Sequence, residues 1–245
     1  MDRDVYERMA MVEQSHWWFS ARREIIEVVI KRLIRPQKNA SVLEAGCGSG
    51  GNLHLLAQFG QVDAFEFDEQ ARDIATERLG RPVCFGALPD EIPFSEKRYD
   101  VIGLFDVLEH IELDIEALRA LGARLLPDGA LFVTVPAFPI LWSRHDVSHH
   151  HFRRYTKRSL ADAAKKSGLR VEYGFYFNTF LFPLALAVRG VKGLRRQYTP
   201  DDAVPGHSLN KILRIIFASE RHLMGRLPMP IGLSLGAVLR PEARK

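Results

Sequence analysis

The sequence predicts an α/β protein, a mostly parallel sheet with helices on both faces. Three observations carry that expectation. A glycine-rich turn, Ser41-Val-Leu-Glu-Ala-Gly-Cys-Gly-Ser-Gly-Gly-Asn52, joins a short apolar run to a helix-like segment (Leu53, Leu55, Leu56, Phe59). Twenty residues past Gly46, a second apolar run, Val62-Asp-Ala-Phe65, ends in Glu66. Short apolar runs then alternate with helical patterns as far as Val135. Glycines are needed where the chain turns sharply from strand to helix and lets a ligand approach the backbone. An acid at the tip of the following strand is placed to accept hydrogen bonds from ribose hydroxyls. Together these features imply a site for a nucleoside-containing ligand.

The elements follow in order. Residues 1–39 read mostly as helix: Ile26, Val29, Ile30 and Leu33 share one face, and the pattern breaks at Pro36. Strands are expected at 41–45, 62–66, 82–85, 99–105 and 130–135, with helices near 52–59, 68–79 and 112–125. Asp68 is a candidate cap for the second of these helices, and Asp114 and Glu116 favour the first turn of the third. A polar, His- and Arg-rich loop (136–156) leads to a helix (157–167), a strand (169–177), a mixed apolar and basic stretch, and a last strand near 232–239.

Bulk composition narrows the class. The chain of 245 residues suits one well-buried α/β domain with decorations, and 47% apolar with 26% charged residues is ordinary for a globular protein. Cys47 and Cys84 offer no disulfide framework, the start Met-Asp-Arg-Asp lacks a signal pattern, and no apolar run is long enough to span a bilayer. A cytoplasmic protein, monomeric or homodimeric, is expected. The net charge of +4 conceals an asymmetry: residues 189–226 carry eight Lys/Arg against three acids, and the rest nets −1.

The glycine turn also reads as G-x-G-x-x-G through Gly46, Gly48 and Gly51, which taken alone suits NAD. Glu44 argues otherwise, because a carboxylate beside the turn favours a cationic ligand, not a pyrophosphate. Downstream stand Tyr99-Asp-Val-Ile-Gly-Leu-Phe-Asp-Val-Leu-Glu-His-Ile111 and Leu126-Pro-Asp-Gly-Ala-Leu-Phe-Val-Thr-Val135. In this order the motifs resemble those of the class I S-adenosylmethionine-dependent methyltransferases, over roughly residues 41 to 176. The resemblance implies a Rossmann-like, doubly wound, seven-stranded sheet whose reversed last strand is Ile231-Gly-Leu-Ser-Leu-Gly-Ala-Val-Leu239. It implies a single methyltransferase domain over 1–245: a helical N-terminal lid (1–40), a cofactor-binding core (41–177), a helical insertion (178–226), and the last strand with its tail (227–245). It assigns Gly46, Gly48 and Gly50 to the methionine moiety of S-adenosylmethionine, with Glu44 and Cys47 in the same turn and Asn52 opening the helix beneath. Cys47 also reads as a small packing residue. Glu66 is to hold the ribose and Phe67 to lie against the adenine. Ala87 and Leu88 stand where the family usually places an adenine-reading acid, so backbone groups or Asp90 must replace it. Phe105 and Asp106 end the fourth strand beside the sulfonium.

Methyl transfer to a hydroxyl requires placement of the acceptor and a proton sink. The loop Trp142-Ser-Arg-His-Asp-Val-Ser-His-His-His-Phe-Arg-Arg-Tyr155 falls beyond the carboxyl ends of the strands, where ligands bind in such sheets. Asp146, His150 and His151 are base candidates, ahead of His145, together with Asp106. Arg153, Arg154 and Tyr155 are candidates for gripping the acceptor. The same segment also reads as a tie between loop and sheet. In His16-Trp-Trp-Phe-Ser-Ala-Arg-Arg23, adjacent tryptophans cannot both face one core, so Trp18 is a candidate for the acceptor pocket and Arg22 or Arg23 for the cofactor carboxylate. Three adjacent histidines make a poor zinc site. Asp106, Glu109 and His110 share a helical face, and the segment resembles a motif of quinone-precursor O-methyltransferases, some of which use a divalent cation. Capping and packing are the preferred roles there, and no metal is expected.

Phe175-Tyr-Phe-Asn-Thr-Phe-Leu-Phe-Pro-Leu-Ala-Leu-Ala-Val188 is followed at once by Arg189, Lys192, Arg195 and Arg196. Apolar surface beside cations suits a small or lipid-linked acceptor, a peripheral membrane contact through 178–196, or simply a buried helix with a solvated face. Nucleic acid is not expected, because the cations are not interleaved with exposed aromatics. The alternatives to a methyltransferase are an NAD-dependent oxidoreductase and a non-catalytic binding module of the same fold at a membrane surface.

Overall fold

The computed structural model describes residues 10–195 and 204–242, with the side chains of 189–195 outside that description. Seven strands form one sheet: β1 (Ala40–Ala45), β2 (Gly60–Glu66), β3 (Cys84–Phe85), β4 (Tyr99–Phe105), β5 (Leu125–Pro136), β6 (Leu169–Phe177) and β7 (Ser234–Pro241). Their order is β3-β2-β1-β4-β5-β7-β6; the β1, β2, β3, β4 and β5 neighbours pair in parallel, and β7 runs antiparallel to both β5 and β6. The reversed last strand expected from the sequence is β7. The order changes direction between β1 and β4, so the carboxyl ends of those strands open a crevice.

Eight α-helices are described: α1 (Trp17–Val29), α2 (Leu53–Leu56), α3 (Glu69–Leu79), α4 (Asp114–Gly122), α5 (Arg144–Ser148), α6 (Lys157–Lys166), α7 (Phe182–Arg195) and α8 (His207–Ser219). The sheet is covered on both faces, which is why its central strands are apolar without alternation. One core packs Ala21, Ile25, Ile26 and Val29 of α1 and Phe217 of α8 against Val42, Val101 and Phe132. The other packs Ala117, Leu118 and Leu121 of α4 and Leu160 and Ala164 of α6 against Leu43, Ile102 and Leu131.

Local signals behave as their chemistry requires. The Asp68 side chain accepts from the Ala71 N–H at 2.9 Å and caps α3. The apolar stripe of α1 continues through a π-helical turn, Ile30–Ile34, and Arg35 takes a left-handed φ of 52° before Pro36. Several boundaries differ from expectation. The helix expected at 52–59 is only Leu53–Leu56, because the tight turn occupies its start and β2 begins at Gly60. β5 begins at Leu125 instead of 130, since a register shift between Tyr99 and Val101 lets the Leu126-Pro-Asp-Gly129 segment join the ladder. The stretch between β6 and β7 holds α7 and α8, while Arg196, Asp201 and Asp202 lie outside the described residues. Among the described residues, no helix is long and apolar enough to cross a membrane.

Candidate active site

A cavity of about 1000 Å³ opens at the carboxyl ends of β1, β2, β4 and β5, roofed by α1 on one side and by α7 and α8 on the other. The glycine turn forms its floor. Gly46 and Gly48 have φ values of 68° and 55°, and a Cβ on Gly48 would meet nothing within 4 Å, so its backbone faces open space. Gly50 differs. It is absent from the cavity lining, and a Cβ there would press on the Leu53 side chain and the Ala75 backbone. Its role is to let α3 approach the turn, whereas Gly51, Ser49 and Asn52 line the cavity in its stead. The assignment of Gly50 to ligand contact is thereby corrected.

Two buried carboxylates stand beside this turn. Glu66 Oε2 accepts from the Gly48 N–H at 2.7 Å, and Oε1 accepts from the N–H groups of Phe67 (2.9 Å) and Asp68 (3.0 Å). Burial raises its pKa despite those three donors. Glu44 Oε1 accepts from Asn52 Nδ2 at 2.7 Å, while Oε2 has no hydrogen-bond partner among the described residues. Burial pushes the Glu44 carboxyl up to about 7, with the Asn52 amide and the Arg22 charge pulling the other way. Burial likewise raises the Cys47 thiol, which suits a packing residue more than a nucleophile. Phe67 is exposed at the rim, 5.9 Å from Phe85 by ring centroids, and Ala87, Leu88 and Phe105 complete this end of the cavity.

The roof is latched to the floor by ion pairs. Arg22 of α1 pairs with Asp106 at the tip of β4 and lies over the Trp18 ring at 4.8 Å. Asp106 itself is held at a φ of 56°, with its N–H donating to the Thr134 carbonyl at 2.9 Å. Glu13, ahead of α1, pairs with Arg78 and accepts from Ser49 Oγ at 2.7 Å. Arg23 turns away, donating to the Glu13 carbonyl at 2.9 Å. The adjacent tryptophans divide as their geometry demands, Trp17 edge-on to Phe217 at 6.0 Å and Trp18 beneath Arg22, though both reach the cavity.

The loop after β5 supplies the opposite wall through His145, His149, His151 and Arg154. Asp146 stands behind it, fully buried. It accepts from Arg154 Nε at 2.7 Å and a second guanidinium nitrogen at 2.9 Å, from the Ser143 N–H at 2.7 Å, and pairs with His151 Nδ1 at 2.9 Å. Burial opposes its charge, yet the hydrogen bonds from His151 and Arg154 hold its carboxyl well below the usual range. A carboxylate so held orients its neighbours and cannot take a proton near neutral pH. Asp146 and His150 do not line the cavity. Nor do Arg153 and Tyr155: Arg153 pairs with Asp114 at 2.8 Å, and the Tyr155 hydroxyl donates to the same carboxylate at 2.8 Å. These two tie the loop to α4, which corrects their expected role at the acceptor.

Glu109 and His110, on the short turn Leu108–His110, sit between the two ends. Glu109 is buried with Oε2 unpartnered, and burial together with the nearby Asp106 raises its pKa well above the ordinary value. Burial, then His151, lowers His110 to about 3. Its ring meets that of His151 edge-on at 4.6 Å. Ligand-type atoms of Glu109, His110 and His151 lie within 4.8 Å of one another, a group able to relay a proton or, with slight closure, to hold a cation. Asp106, expected to share that face, is instead engaged by Arg22. Neither the Glu13 latch nor the approach of His151 to His110 has a sequence signal, because both depend on tertiary packing.

Comparison with known proteins agrees with this geometry. A family model described as a methyltransferase domain matches residues 17–173. A Mycobacterium tuberculosis protein named as a probable S-adenosylmethionine-dependent methyltransferase is 34% identical over 122 residues, 49% of this chain and 43% of that protein. The chain thus spans under half the length of that relative. Among solved structures, a Haloferax volcanii methyltransferase in complex with the Trm112 activator superposes with a TM-score of 0.64 at 14% identity, covering 99% of this chain and 96% of its own. The [4+2]-cyclase SpnF superposes with a TM-score of 0.59 at 16% identity, covering 93% and 84%. A shared fold therefore does not fix the reaction. From the extent of the family match and the strand order around the crevice, this chain belongs to the class I S-adenosylmethionine-dependent methyltransferase family.

Proposed function

We propose that the protein transfers the methyl group of S-adenosylmethionine to a hydroxyl oxygen of a small or lipid-linked acceptor. The observation that carries this reading is the acidity of the cofactor end: Glu44, Glu66 and Asp106 line the cavity, with Arg22 as the cation set among them. A cofactor with an ammonium and a sulfonium gains from that field, whereas a dinucleotide pyrophosphate would be repelled. Glu66 receives the ribose hydroxyls, and the rim at Phe67, Ala87 and Leu88 receives the adenine. Gly46, packed under Val107, the open backbone of Gly48 and Glu44 Oε2 take the methionine moiety, with Asn52 holding Glu44 in place.

Bound S-adenosylmethionine supplies an electrophilic methyl carbon, and the chain's residues supply placement and a proton sink. An acceptor oxygen placed in line with that carbon would displace the sulfur, and His151 would receive the hydroxyl proton. With Nδ1 donating to Asp146, the Nε2 of His151 is the basic nitrogen, and Asp146 acts as a positioning residue that fixes the tautomer. Asp106 keeps Arg22 over the cofactor end. The test is calorimetry of the purified protein against S-adenosylhomocysteine and NAD. Micromolar binding of the first alone is expected; binding of NAD alone would establish the oxidoreductase reading. Binding of neither would return the chain to a non-catalytic role.

A further inference from the structure

The cavity has a second arm that the cofactor does not need. The cofactor end lies over β1, β2 and β3, whereas Asn178, Leu233 and Ser234 lie at the far half of the sheet, where β6 ends and β7 begins. Over that half sit α7 and α8. Leu184 and Val188 of α7 are spaced i and i+4, as are Leu209 and Leu213 of α8, so each helix presents a paired aliphatic face to the cavity. Among the described residues, the side chains that residues 181–213 give to the lining are all apolar: Leu181, Leu184, Ala185, Val188, Pro205, Leu209 and Leu213. Leu184, Val188 and Leu209 line the cavity and yet remain 52%, 42% and 52% exposed, so the described side chains do not fill this arm. The same cavity is lined by His145, His149 and His151.

A site polar where a methyl group is transferred, aliphatic on two helices and unfilled by the described side chains fits one kind of acceptor. We propose that this arm binds the alkyl or polyprenyl chain of an amphiphilic acceptor, whose hydroxyl-bearing head rests at His151 while the tail lies along α7 and α8. α7 and α8 give only aliphatic side chains to the lining, with Trp17 of α1 beside α8, an apolar surface that suits an alkyl chain. The arm is continuous with the reacting end, so tail and hydroxyl belong to one molecule. This inference rests on the methyltransferase reading for the identity of the head, but the arm's preference for a chain is separable from it.

The experiment is a chain-length series. Monomeric alkyl β-D-maltosides with butyl, octyl and dodecyl chains are titrated calorimetrically into the full chain, below their micelle concentrations, with S-adenosylhomocysteine titrated in parallel. Each CH₂ that enters the arm should raise affinity up to about 4-fold, equivalent to ~0.8 kcal/mol per buried CH₂. Leu184→Ser and Leu209→Ser should each flatten this dependence while leaving the affinity for S-adenosylhomocysteine within about 2-fold, since neither residue stands at the cofactor end. A flat series in the unaltered protein, or an unchanged slope in both variants, would overturn the proposal. Loss of S-adenosylhomocysteine binding with the slope intact would instead count against the cofactor reading and leave the chain-binding arm standing.

Discussion

Replacing Glu44 with glutamine removes a carboxyl that the fold holds under strain of burial. In the unfolded chain this group ionises near 4.5, whereas in the folded protein burial pushes it to about 7. A raised carboxyl pKa means that folding favours the protonated form. Below pH 4.5 both states carry the proton and the group costs nothing; between 4.5 and 7 the unfolded chain ionises first; above 7 the full penalty applies. The difference amounts to about 3 kcal/mol at pH 8. Glutamine keeps an oxygen for the Asn52 amide, which donates at 2.7 Å, and has nothing to titrate. Glu44→Gln should therefore match the parent near pH 4.5 and exceed it at pH 8 by up to that amount, a melting shift of roughly 6–12 °C for a domain of this size. The assay is urea or thermal unfolding of the cofactor-free protein at several pH values. The same substitution should weaken S-adenosylmethionine binding, because it deletes the anion facing the cofactor's cations, and should abolish the proton release that accompanies binding near pH 6. A stability difference that does not vary with pH would refute the reasoning. So would a variant less stable than the parent at pH 8.

Glu66→Ala should lower S-adenosylhomocysteine affinity by roughly 10- to 100-fold, the loss of a charged hydrogen-bond acceptor, and calorimetry reads it directly. Arg154→Met should destabilise the fold by about 3–5 kcal/mol, because it strands the buried Asp146 carboxylate, whereas Arg153→Met, at a partly exposed pair, should cost under about 1 kcal/mol; equal costs in urea titrations would show that the two arginines have been misassigned. Gly50→Ala forces a side chain against Ala75 at a φ of 84° and should cost about 1–3 kcal/mol of stability. Gly48→Ala projects into the open cavity and should show its larger effect on cofactor affinity. Treatment with EDTA should leave S-adenosylhomocysteine affinity unchanged, since the glycine turn and Glu66 carry that binding without a cation; a loss would assign a cation to Glu109, His110 and His151.

The parts of the structure legible in the sequence are those dictated over short range. The turn at Gly46 and Gly48, the acid at the end of β2 and the cap at Asp68 each express local backbone chemistry, and each takes its expected place. The alternation of strand and helix fixed the fold class for the same reason. The acceptor side was harder to read, because its loop carries many polar residues of similar chemistry and only packing separates them. Arg153 and Arg154 are neighbours in sequence, yet one faces α4 and the other grips Asp146 beside the cavity. Asp146 resembled a base by residue type, and its guanidinium and imidazole partners turn it into a fixture. Gly50 stands off the cavity because in so tight a turn one residue's shift decides whether the backbone faces the cavity or α3.

The latch across the cavity has a consequence for how the chain is made. α1 precedes its partners on and after α8 by nearly two hundred residues. The Trp17 N–H donates to Asn210 at 2.9 Å, and Glu24 pairs with Arg214 at 3.0 Å and with Arg221, nearly two hundred residues downstream. Until α8 is made, the apolar stripe of α1 can rest on the sheet with Arg22 paired to Asp106, while its outer edge waits for Asn210, Arg214 and Arg221. The floor of the crevice is thus encoded wholly upstream of the helix that secures the outer edge of its roof.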